Sequence, residues 1–303
     1  MTTHPETFWE IPEPQSTVDV PVDNDTRITL RRHGNPEGPR LVLSHGNGLA
    51  IDLYFPFWSL LLDDFDLFVY DLRNHGWNTV SSLHEHSVPT FVNDHDCILE
   101  AIDLHFGKKT KIGVFHSVSA LTALLSPARG GGFGACVLFD PPLCRHGDSY
   151  EEFDAAAERV AAMTRRRANR FETTEEFAEV LPYLPTFQRV APGVFELVAR
   201  TTLRRSANGQ VYELRCPREY EAQIVDYAAT FAVLVDFPRF QCPIKVIGAD
   251  PTLPYSYLPT LDLSDIVTVD YDFLPETTHL LQMEQPAECV DAMREFLESQ
   301  SLI

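Results

Sequence analysis

Hydrophobic and polar positions alternate in blocks along this chain, and the blocks predict a buried sheet. Short, mainly apolar runs occupy residues 41–44, 67–70, 111–115, 135–139, 243–248 and 266–269. Runs of this kind are typical of parallel strands that are covered on both faces. Residues 18–22 and 28–32, joined by a polar turn, predict an antiparallel hairpin at the entry to the sheet.

Helical patterns separate most of these runs, at residues 57–62, 91–106, 119–125 and 287–298. The alternation of strand and helix predicts an α/β protein with a doubly wound, mostly parallel sheet. In such a sheet the ligand site lies at the carboxyl ends of the strands. The polar residues that follow the apolar runs are therefore the candidates for chemistry.

The alternation is interrupted between about residues 140 and 226. Helical patterns fill this stretch at residues 150–170, 174–181, 192–204 and 217–229. Because the stretch follows a strand and delays the next one, we predict a helical cap at residues 141–226 on a core formed by residues 1–140 and 227–303. Its arginine run at residues 165–167 is interpreted as a solvated helix face paired with nearby glutamates, with a specific anion site as the alternative.

Composition and charge exclude several classes of partner. The chain has 303 residues, enough to bury a large core, and a formal net charge of −20. A surface this acidic repels nucleic-acid backbones and anionic lipid, so neither nucleic acid nor a membrane is expected as a partner. The six cysteines form no CxxC pair, and the first residues lack the basic and apolar pattern of a signal peptide. Both observations predict a cytoplasmic protein with reduced thiols.

The most informative stretch for chemistry is residues 111–120. Its apolar run stops abruptly at His116 and Ser117, and a helical pattern follows at once. A strand, a sharp turn that carries serine and then a helix expose a nucleophilic hydroxyl. Phe115 stands where such turns usually have a small residue, so a polar turn without a catalytic role is the alternative interpretation.

A serine nucleophile needs a base and an acid that orients the base. His279 lies in a loop after the last predicted strand, and capping of the following helix is its structural alternative. Asp250 lies two residues after the run at residues 243–248, where an Asp-Pro-Thr sequence also suits an ordinary turn. Asp140 ends the run at residues 135–139 and is the reserve acid.

Oxyanion donors and substrate contacts are predicted from the strand-end loops. The backbone N–H groups of Asn47, in the His-Gly-Asn-Gly turn at residues 45–48, and of Val118 are candidates for the oxyanion hole. Trp58, Trp77 and Tyr255 lie near these loops and predict an apolar substrate pocket.

Other chemistries lack sequence support. Glycine-rich nucleotide motifs are missing after the first strand, and the His/Asp/Glu groups at residues 84–86 and 94–96 do not have metal-ligand spacing. We therefore predict neither a cofactor nor a metal ion.

These residues coincide with the motifs of a known family. From about residue 28 to residue 297 the chain resembles the α/β-hydrolase superfamily. The resemblance is carried by the turn at residues 45–48, the Asp-Leu-Arg-Asn-His-Gly stretch at residues 71–76, Ser117, Asp250 followed by Pro254, and His279, in the family's order. It implies a nucleophile at Ser117, a general base at His279, an acid at Asp250 and a cap that shapes the pocket.

We accordingly predict a soluble, cofactor-free serine hydrolase that cleaves a carboxylic ester or thioester of a small, largely apolar substrate through an acyl-enzyme. The partner is then a small molecule, and the oligomeric state is left open, with a homodimer as one option. A carbon–carbon bond hydrolase, a cofactor-free oxygenase and a binding protein that has lost catalysis are the alternative interpretations.

Overall fold

An eight-stranded sheet forms the centre of the computed structural model, which describes residues 8–144, 148–253 and 269–303. The strands in chain order are β1 (Ser16–Pro21), β2 (Arg27–Gly34), β3 (Arg40–Ser44), β4 (Asp66–Tyr70), β5 (Lys111–His116), β6 (Phe133–Phe139), β7 (Arg170–Phe171), β8 (Leu203–Arg205), β9 (Tyr212–Leu214), β10 (Ile244–Gly248) and β11 (Asp270–Phe273). The order in the large sheet is β1-β2-β4-β3-β5-β6-β10-β11, and β7, β9 and β8 form a separate small sheet.

Strand directions confirm the predicted hairpin and the mostly parallel sheet. The pairs β1–β2 and β2–β4 are antiparallel, and the remaining neighbours in the large sheet are parallel. Strands β3, β4 and β5 are buried along their whole length, which explains why their sequences are apolar without alternation. The predicted strand at residues 266–269 lies largely outside the described residues, and β11 begins just after it.

Helices cover both faces of the sheet, as a doubly wound fold requires. They are α1 (Phe55–Trp58), α2 (Val88–Phe106), α3 (Val118–Leu125), α4 (Asp148–Arg166), α5 (Thr174–Val180), α6 (Val194–Thr202), α7 (Arg218–Asp226), α8 (Ala228–Ala232), α9 (Leu281–Glu284) and α10 (Pro286–Ser299). Leu41 and Leu43 of β3 pack in the cluster that contains α1 and α10 side chains, whereas Val42 packs in the cluster that contains those of α2 and α3. Alternate residues of one strand thus serve two cores.

The chain between β6 and β10 builds an additional layer from α4 to α8 and the small sheet. Phe153 and Ala157 of α4 pack against Ala222 of α7 and Ala229 of α8 in a cluster of their own. The small side chains let these helices approach closely. The helices of this layer account for the helical patterns between residues 140 and 226. The division of the chain at residues 140 and 226 remains a prediction, and α8 joins this layer beyond the second of those positions. Among the described helices, none has the length and apolar composition that crossing a bilayer requires.

Candidate active site

Ser117 occupies the sharp turn between β5 and α3. Its backbone has φ of 54° and ψ of −120°, a conformation that non-glycine residues rarely adopt. The surrounding backbone holds it there, because its N–H donates to the carbonyl of Phe139 at 2.9 Å and its carbonyl accepts from the N–H of Leu121 at 3.0 Å. Strain of this kind is typical of a turn that presents a catalytic side chain.

Phe115 does not crowd this turn. Its ring is fully buried on the face of the sheet that carries α2 and α3, where it packs edge-on against Phe133 and His95. The space for it comes from Gly113, where a Cβ atom would lie 2.5 Å from the Phe115 ring. The small residue that the tight packing needs is therefore two positions earlier on the same face of β5.

His279 connects the serine to a carboxylate. Its Nε2 atom lies 3.0 Å from Ser117 Oγ, and its Nδ1 atom lies 2.5 Å from Asp140 Oδ2. The ring stands on the turn between β11 and α9, which is held by a hydrogen bond of 2.6 Å from the N–H of Thr278 to the carboxylate of Glu284. In the arrangement that satisfies all three groups, the serine hydroxyl donates to Nε2 and Nδ1–H donates to Asp140.

Asp140 follows β6 directly and is 1% exposed. Its φ of 38° turns the side chain toward His279. The second carboxylate oxygen, Oδ1, accepts the backbone N–H of Ala249 at 3.2 Å, and the Asp140 N–H donates to the carbonyl of Ile247 at 2.9 Å. Both bonds come from the β10 side of the sheet, so the neighbouring strand fixes the carboxylate that faces the imidazole.

The prediction that Asp250 orients His279 is wrong, and Asp140, the reserve acid, is in that position. Asp250 instead uses Oδ1 to accept the N–H of Thr252 at 2.8 Å and its hydroxyl at 2.7 Å. Its Oδ2 accepts the N–H of Glu276 at 2.8 Å. The carboxylate thereby closes its own turn and supports the loop that leads to His279, the role that its Asp-Pro-Thr context also suited.

The two predicted oxyanion donors lie beside Ser117. Val118 is the first residue of α3, where a backbone N–H has no acceptor within its own helix. The turn that carries Asn47 approaches Ser117 so closely that a Cβ atom on Gly46 would lie 3.3 Å from Ser117 Cβ. Asn47, Ser117 and Val118 together line a small cavity of about 20 Å³. Their role in oxyanion binding remains a prediction.

A cavity of about 820 Å³ opens at His279 between the sheet and the helical layer. The turn at residues 46–49 and the stretch at residues 278–280 form its floor. The helical layer supplies Val160, Met163 and Thr164 of α4 and residues 184–189. Its size fits a small-molecule site. The lining surface as a whole is mainly apolar, and the layer also contributes the charged residues Arg167, Arg189 and Glu221.

The predicted aromatic contacts do not line this cavity. Trp58 is fully buried in the core, and its indole N–H donates to the carbonyl of Ile51 at 3.1 Å. Trp77 donates to Asp52 at 2.8 Å and stacks on the Arg31 guanidinium, 4.3 Å from the ring centroid. Neither ring is among the residues that line the cavity, so their contact with a substrate stays a prediction, and Tyr255 lies outside the described residues.

Sequence reasoning missed the lining residues of the helical layer. Met163 and Leu184 are large apolar side chains that remain 70% and 41% exposed, and both border the cavity. A helical pattern alone does not show which apolar residues face a neighbouring helix and which face a cavity. Nothing in the sequence around Met163 or Leu184 shows that these side chains face a cavity and not another helix.

His75, His86 and Cys216 form a buried group of potential metal ligands. The hydrogen bonds oppose ligation, however. His75 donates from Nδ1 to the carbonyl of Arg73 and accepts the N–H of Gly48 at Nε2, 3.0 Å away. The Nδ1 atom of His86 accepts the side-chain amide of Asn74 at 2.9 Å. Each imidazole lone pair already serves an N–H donor, so we assign no metal ion to this group.

A family model and several solved structures are similar to this chain over most of its length. A model of the alpha/beta hydrolase family matches residues 41–292. Searching curated protein sequences gives no match. Among solved structures, an E-2-(acetamidomethylene)succinate hydrolase superimposes with a TM-score of 0.73 at 16% identity, over 93% of this chain and 99% of that one.

Two further solved structures superimpose on most of this chain. A thioesterase domain from the curacin biosynthetic pathway has a TM-score of 0.69 at 14% identity, over 92% of this chain and 98% of its own. A thermophilic esterase from Thermogutta terrifontis, with malate bound, has a TM-score of 0.64 at 22% identity, over 94% and 99%. At such identities the likeness shows the α/β-hydrolase fold and not the substrate.

Proposed function

We propose that this chain, which belongs to the alpha/beta hydrolase family, is a serine hydrolase that cleaves a carboxylic ester or thioester through an acyl-enzyme. The single observation that carries the proposal is the unbroken series of contacts from Ser117 Oγ to His279 Nε2, 3.0 Å, and from His279 Nδ1 to Asp140 Oδ2, 2.5 Å. A nucleophile, a base and an orienting acid at these distances are the parts that acyl transfer needs.

In the proposed mechanism Ser117 Oγ attacks the acyl carbonyl carbon while its proton passes to His279 Nε2. Asp140 holds the imidazole in the tautomer that leaves Nε2 free to accept, and it stabilises the imidazolium that forms. His279 then gives the proton to the leaving alcohol or thiol. Water attacks the acyl-enzyme in the second half of the cycle, with the same ring first accepting its proton and then returning one to Ser117 Oγ.

The negative charge on the attacked oxygen needs donors that are already in place. The backbone N–H groups of Asn47 and Val118 suit this role, because both residues border the small cavity at Ser117. Removing one such donor typically costs about 3 kcal/mol of transition-state stabilisation. The side chain of Asn47 is held by a 2.8 Å hydrogen bond to the carbonyl of Glu221, which ties this turn to α7.

The cavity supports a small and largely apolar substrate. Its volume of about 820 Å³ is within the range of small-molecule sites, and Leu49, Leu184 and Phe187 contribute apolar walls. A substrate of this kind needs no further macromolecular partner. A cytoplasmic location remains a prediction from the sequence.

The test measures both reactivity and substrate length. We expect a fluorophosphonate to label the wild-type protein and p-nitrophenyl esters of increasing acyl length to be hydrolysed. Ser117→Ala should abolish labelling and lower kcat by at least about 10³-fold, with little change in folding. Ser119→Ala is the matched control, because Ser119 Oγ is engaged by the backbone of His116 at 2.8 Å and should not react.

The proposal is overturned if Ser117→Ala retains most of the activity or if the wild-type serine resists the phosphonate. In the second case a binding role becomes the better interpretation. Hydrolysis of a carbon–carbon bond in a β-diketone with no turnover of esters would instead favour the carbon–carbon hydrolase.

A further inference from the structure

A second buried hydrogen-bond chain lies directly behind the triad. The Gly46 N–H is 2.9 Å from Tyr54 Oη, and Tyr54 Oη is 2.6 Å from His116 Nδ1. His116 Nε2 is 2.7 Å from the backbone carbonyl of His279. The chain therefore runs from the turn that carries the predicted oxyanion donor to the residue that carries the base.

The two ends of the chain determine the direction of every bond. A backbone N–H only donates, so Gly46 donates to the Tyr54 oxygen. A carbonyl only accepts, so His116 Nε2 must carry the proton that faces His279. Nδ1 of the neutral ring is then the acceptor, and the Tyr54 hydroxyl supplies its proton to it. Donors and acceptors match at all three contacts.

This hydrogen-bond chain is buried, and burial keeps the protonation state of His116 constant. Tyr54 and His116 are each 1% exposed. Burial, with a contribution from the neighbouring His279, holds the pKa of the His116 imidazole well below its usual value. A ring that remains neutral keeps one tautomer, so the direction of the bonds does not change across the pH range in which a hydrolase works.

Close packing leaves little freedom for these groups to move independently. A Cβ atom on Gly46 would lie 2.8 Å from His116 Nδ1 and 3.3 Å from Ser117 Cβ. The imidazole rings of His116 and His279 have centroids 4.7 Å apart. The turn at Gly46, the residue before the nucleophile and the base are thus in mutual contact, and the hydrogen bonds fix their relative orientation.

We propose that Tyr54 and His116 are positioning residues that hold the turn of Gly46 and Asn47 and the backbone of His279 in register around Ser117. The inference rests on the proposed serine-hydrolase function, since it concerns how that site is held. His116 acts on His279 through the backbone carbonyl of that residue, and Tyr54 acts on the turn through the Gly46 N–H. Their effect is to keep the imidazole and the oxyanion donors aimed at the same acyl carbon, and a displacement of about 1 Å at such a site costs about 10²-fold in rate.

The first variant removes only the hydroxyl group. Tyr54→Phe should lower kcat about 10²-fold and leave KM within about threefold, because substrate binding in the large cavity does not involve Tyr54. The matched control is Tyr70→Phe, which deletes another buried tyrosine bond to a histidine, the 2.9 Å contact with His95 in the core. It should lose comparable thermal stability and retain wild-type kcat.

A pair of substitutions at His116 separates positioning from packing. The amide of glutamine can still donate toward the His279 carbonyl, so His116→Gln should recover most of the activity. Leucine fills similar space without a donor, so His116→Leu should lose about 10²-fold in kcat, like Tyr54→Phe. Thermal unfolding of both proteins shows whether each is folded at the assay temperature.

A spectroscopic measurement makes the inference independent of turnover. In the wild type, the His279 Nδ1 proton bound to Asp140 should give a downfield resonance in the proton NMR spectrum. Tyr54→Phe and His116→Leu should broaden or shift it, whereas Tyr70→Phe and His116→Gln should leave it in place. The resonance depends on the position of the ring and not on whether Ser117 reacts.

The outcomes distinguish the two proposals. If wild-type Ser117 does not react with a fluorophosphonate, the proposed function fails, and the resonance alone decides the positioning role. If wild-type Ser117 reacts while folded Tyr54→Phe and His116→Leu keep wild-type kcat and an unchanged resonance, the positioning role is wrong and the proposed function stands. A loss in Tyr70→Phe equal to that in Tyr54→Phe would also overturn it, because the effect would then be general destabilisation.

Discussion

His279 Nδ1 lies 2.5 Å from Asp140 Oδ2, and Asp140 directly follows β6, the strand paired with β5, which ends one residue before Ser117. The Ser117 N–H donates to the carbonyl of Phe139, the residue before this acid. The proposed nucleophile and the orienting acid are therefore joined through the backbone of two paired strands. Only His279 comes from a more distant part of the chain.

This arrangement predicts unequal effects for two aspartate substitutions. Asp140→Asn should reduce kcat by about 10⁴-fold, because the amide can stabilise the wrong imidazole tautomer and removes the charge that balances the imidazolium. Asp250→Asn is the matched control and should cost less than about tenfold, since its amide oxygen can keep the bonds from Thr252 and only the bond from the Glu276 N–H is lost. Steady-state kinetics on one p-nitrophenyl ester measures both. The reverse ranking would reinstate Asp250 as the acid.

A glycine in the turn beside Ser117 should be essential for activity. Gly48 has φ of 74°, and a Cβ atom there would overlap the Glu221 carboxylate. We expect Gly48→Ala to displace the turn that carries the predicted oxyanion donor and to lower kcat about 10²-fold. Gly107→Ala is the control, because Gly107 has φ of 78° but meets no described atom within 4 Å. Both should lose about 1 kcal/mol of stability from backbone strain, and equal kcat values would contradict the prediction.

The cavity wall should determine which acyl length is accepted. Leu184→Trp places a larger side chain in the cavity wall and reduces the space for substrate, so it should shift the preference toward shorter p-nitrophenyl esters, while fluorophosphonate labelling of Ser117 persists. Leu104→Trp, at a position 80% exposed and outside the cavity lining, should leave the chain-length profile unchanged. An unaltered profile in Leu184→Trp would show that the substrate binds elsewhere.

Buried neutral histidines should make the protein sensitive to acid. Desolvation lowers the pKa of His33, His45 and His95 to about 4 and that of His75 to about 3. In the unfolded chain the same rings have a pKa of about 6.5. The unfolded state therefore binds more protons below that pH, and the stability these rings contribute is complete above about pH 6.5 and is lost as the pH falls toward 4.

Urea unfolding between pH 7.5 and pH 5 measures this effect. The free energy of unfolding should fall below pH 6.5, with each such histidine contributing up to about 1.4 kcal/mol per pH unit. His95→Gln should reduce the proton uptake on unfolding by about one proton. A free energy of unfolding that is constant between pH 6.5 and pH 5 would contradict the assignment of buried neutral rings.

Most of the fold follows from local sequence patterns. The run at residues 135–139 is the apolar part of β6, and the helical pattern at residues 91–106 is α2, which begins three residues earlier after the N-cap Ser87. The strands of the small sheet were not predicted. Strand β7 has only two residues, Arg170 and Phe171, and exists because β9 pairs with it, which no local pattern reveals.

The choice between the two candidate acids could not be made from the sequence. Asp140 and Asp250 follow neighbouring parallel strands, so both lie at the same edge of the sheet. Asp250 is engaged by the N–H of Glu276, 26 residues away, and Asp140 is turned by a positive φ angle. The contact with Glu276 and the backbone conformation of Asp140 both depend on the folded structure. Ser117, in contrast, can be identified from the sequence because its strand, turn and helix are adjacent in the chain.

The packing of the residues after Asp140 determines where the helical layer could be exchanged for that of another protein. Leu143 packs with the sheet and its helices, whereas the next residue, Cys144, packs into the cluster of the helical layer. A chimaera that exchanges this layer for another should therefore be spliced between Leu143 and Cys144. A join at the end of β6 itself would replace the acid together with the layer, and the grafted protein would inherit a new pocket without the group that orients its histidine.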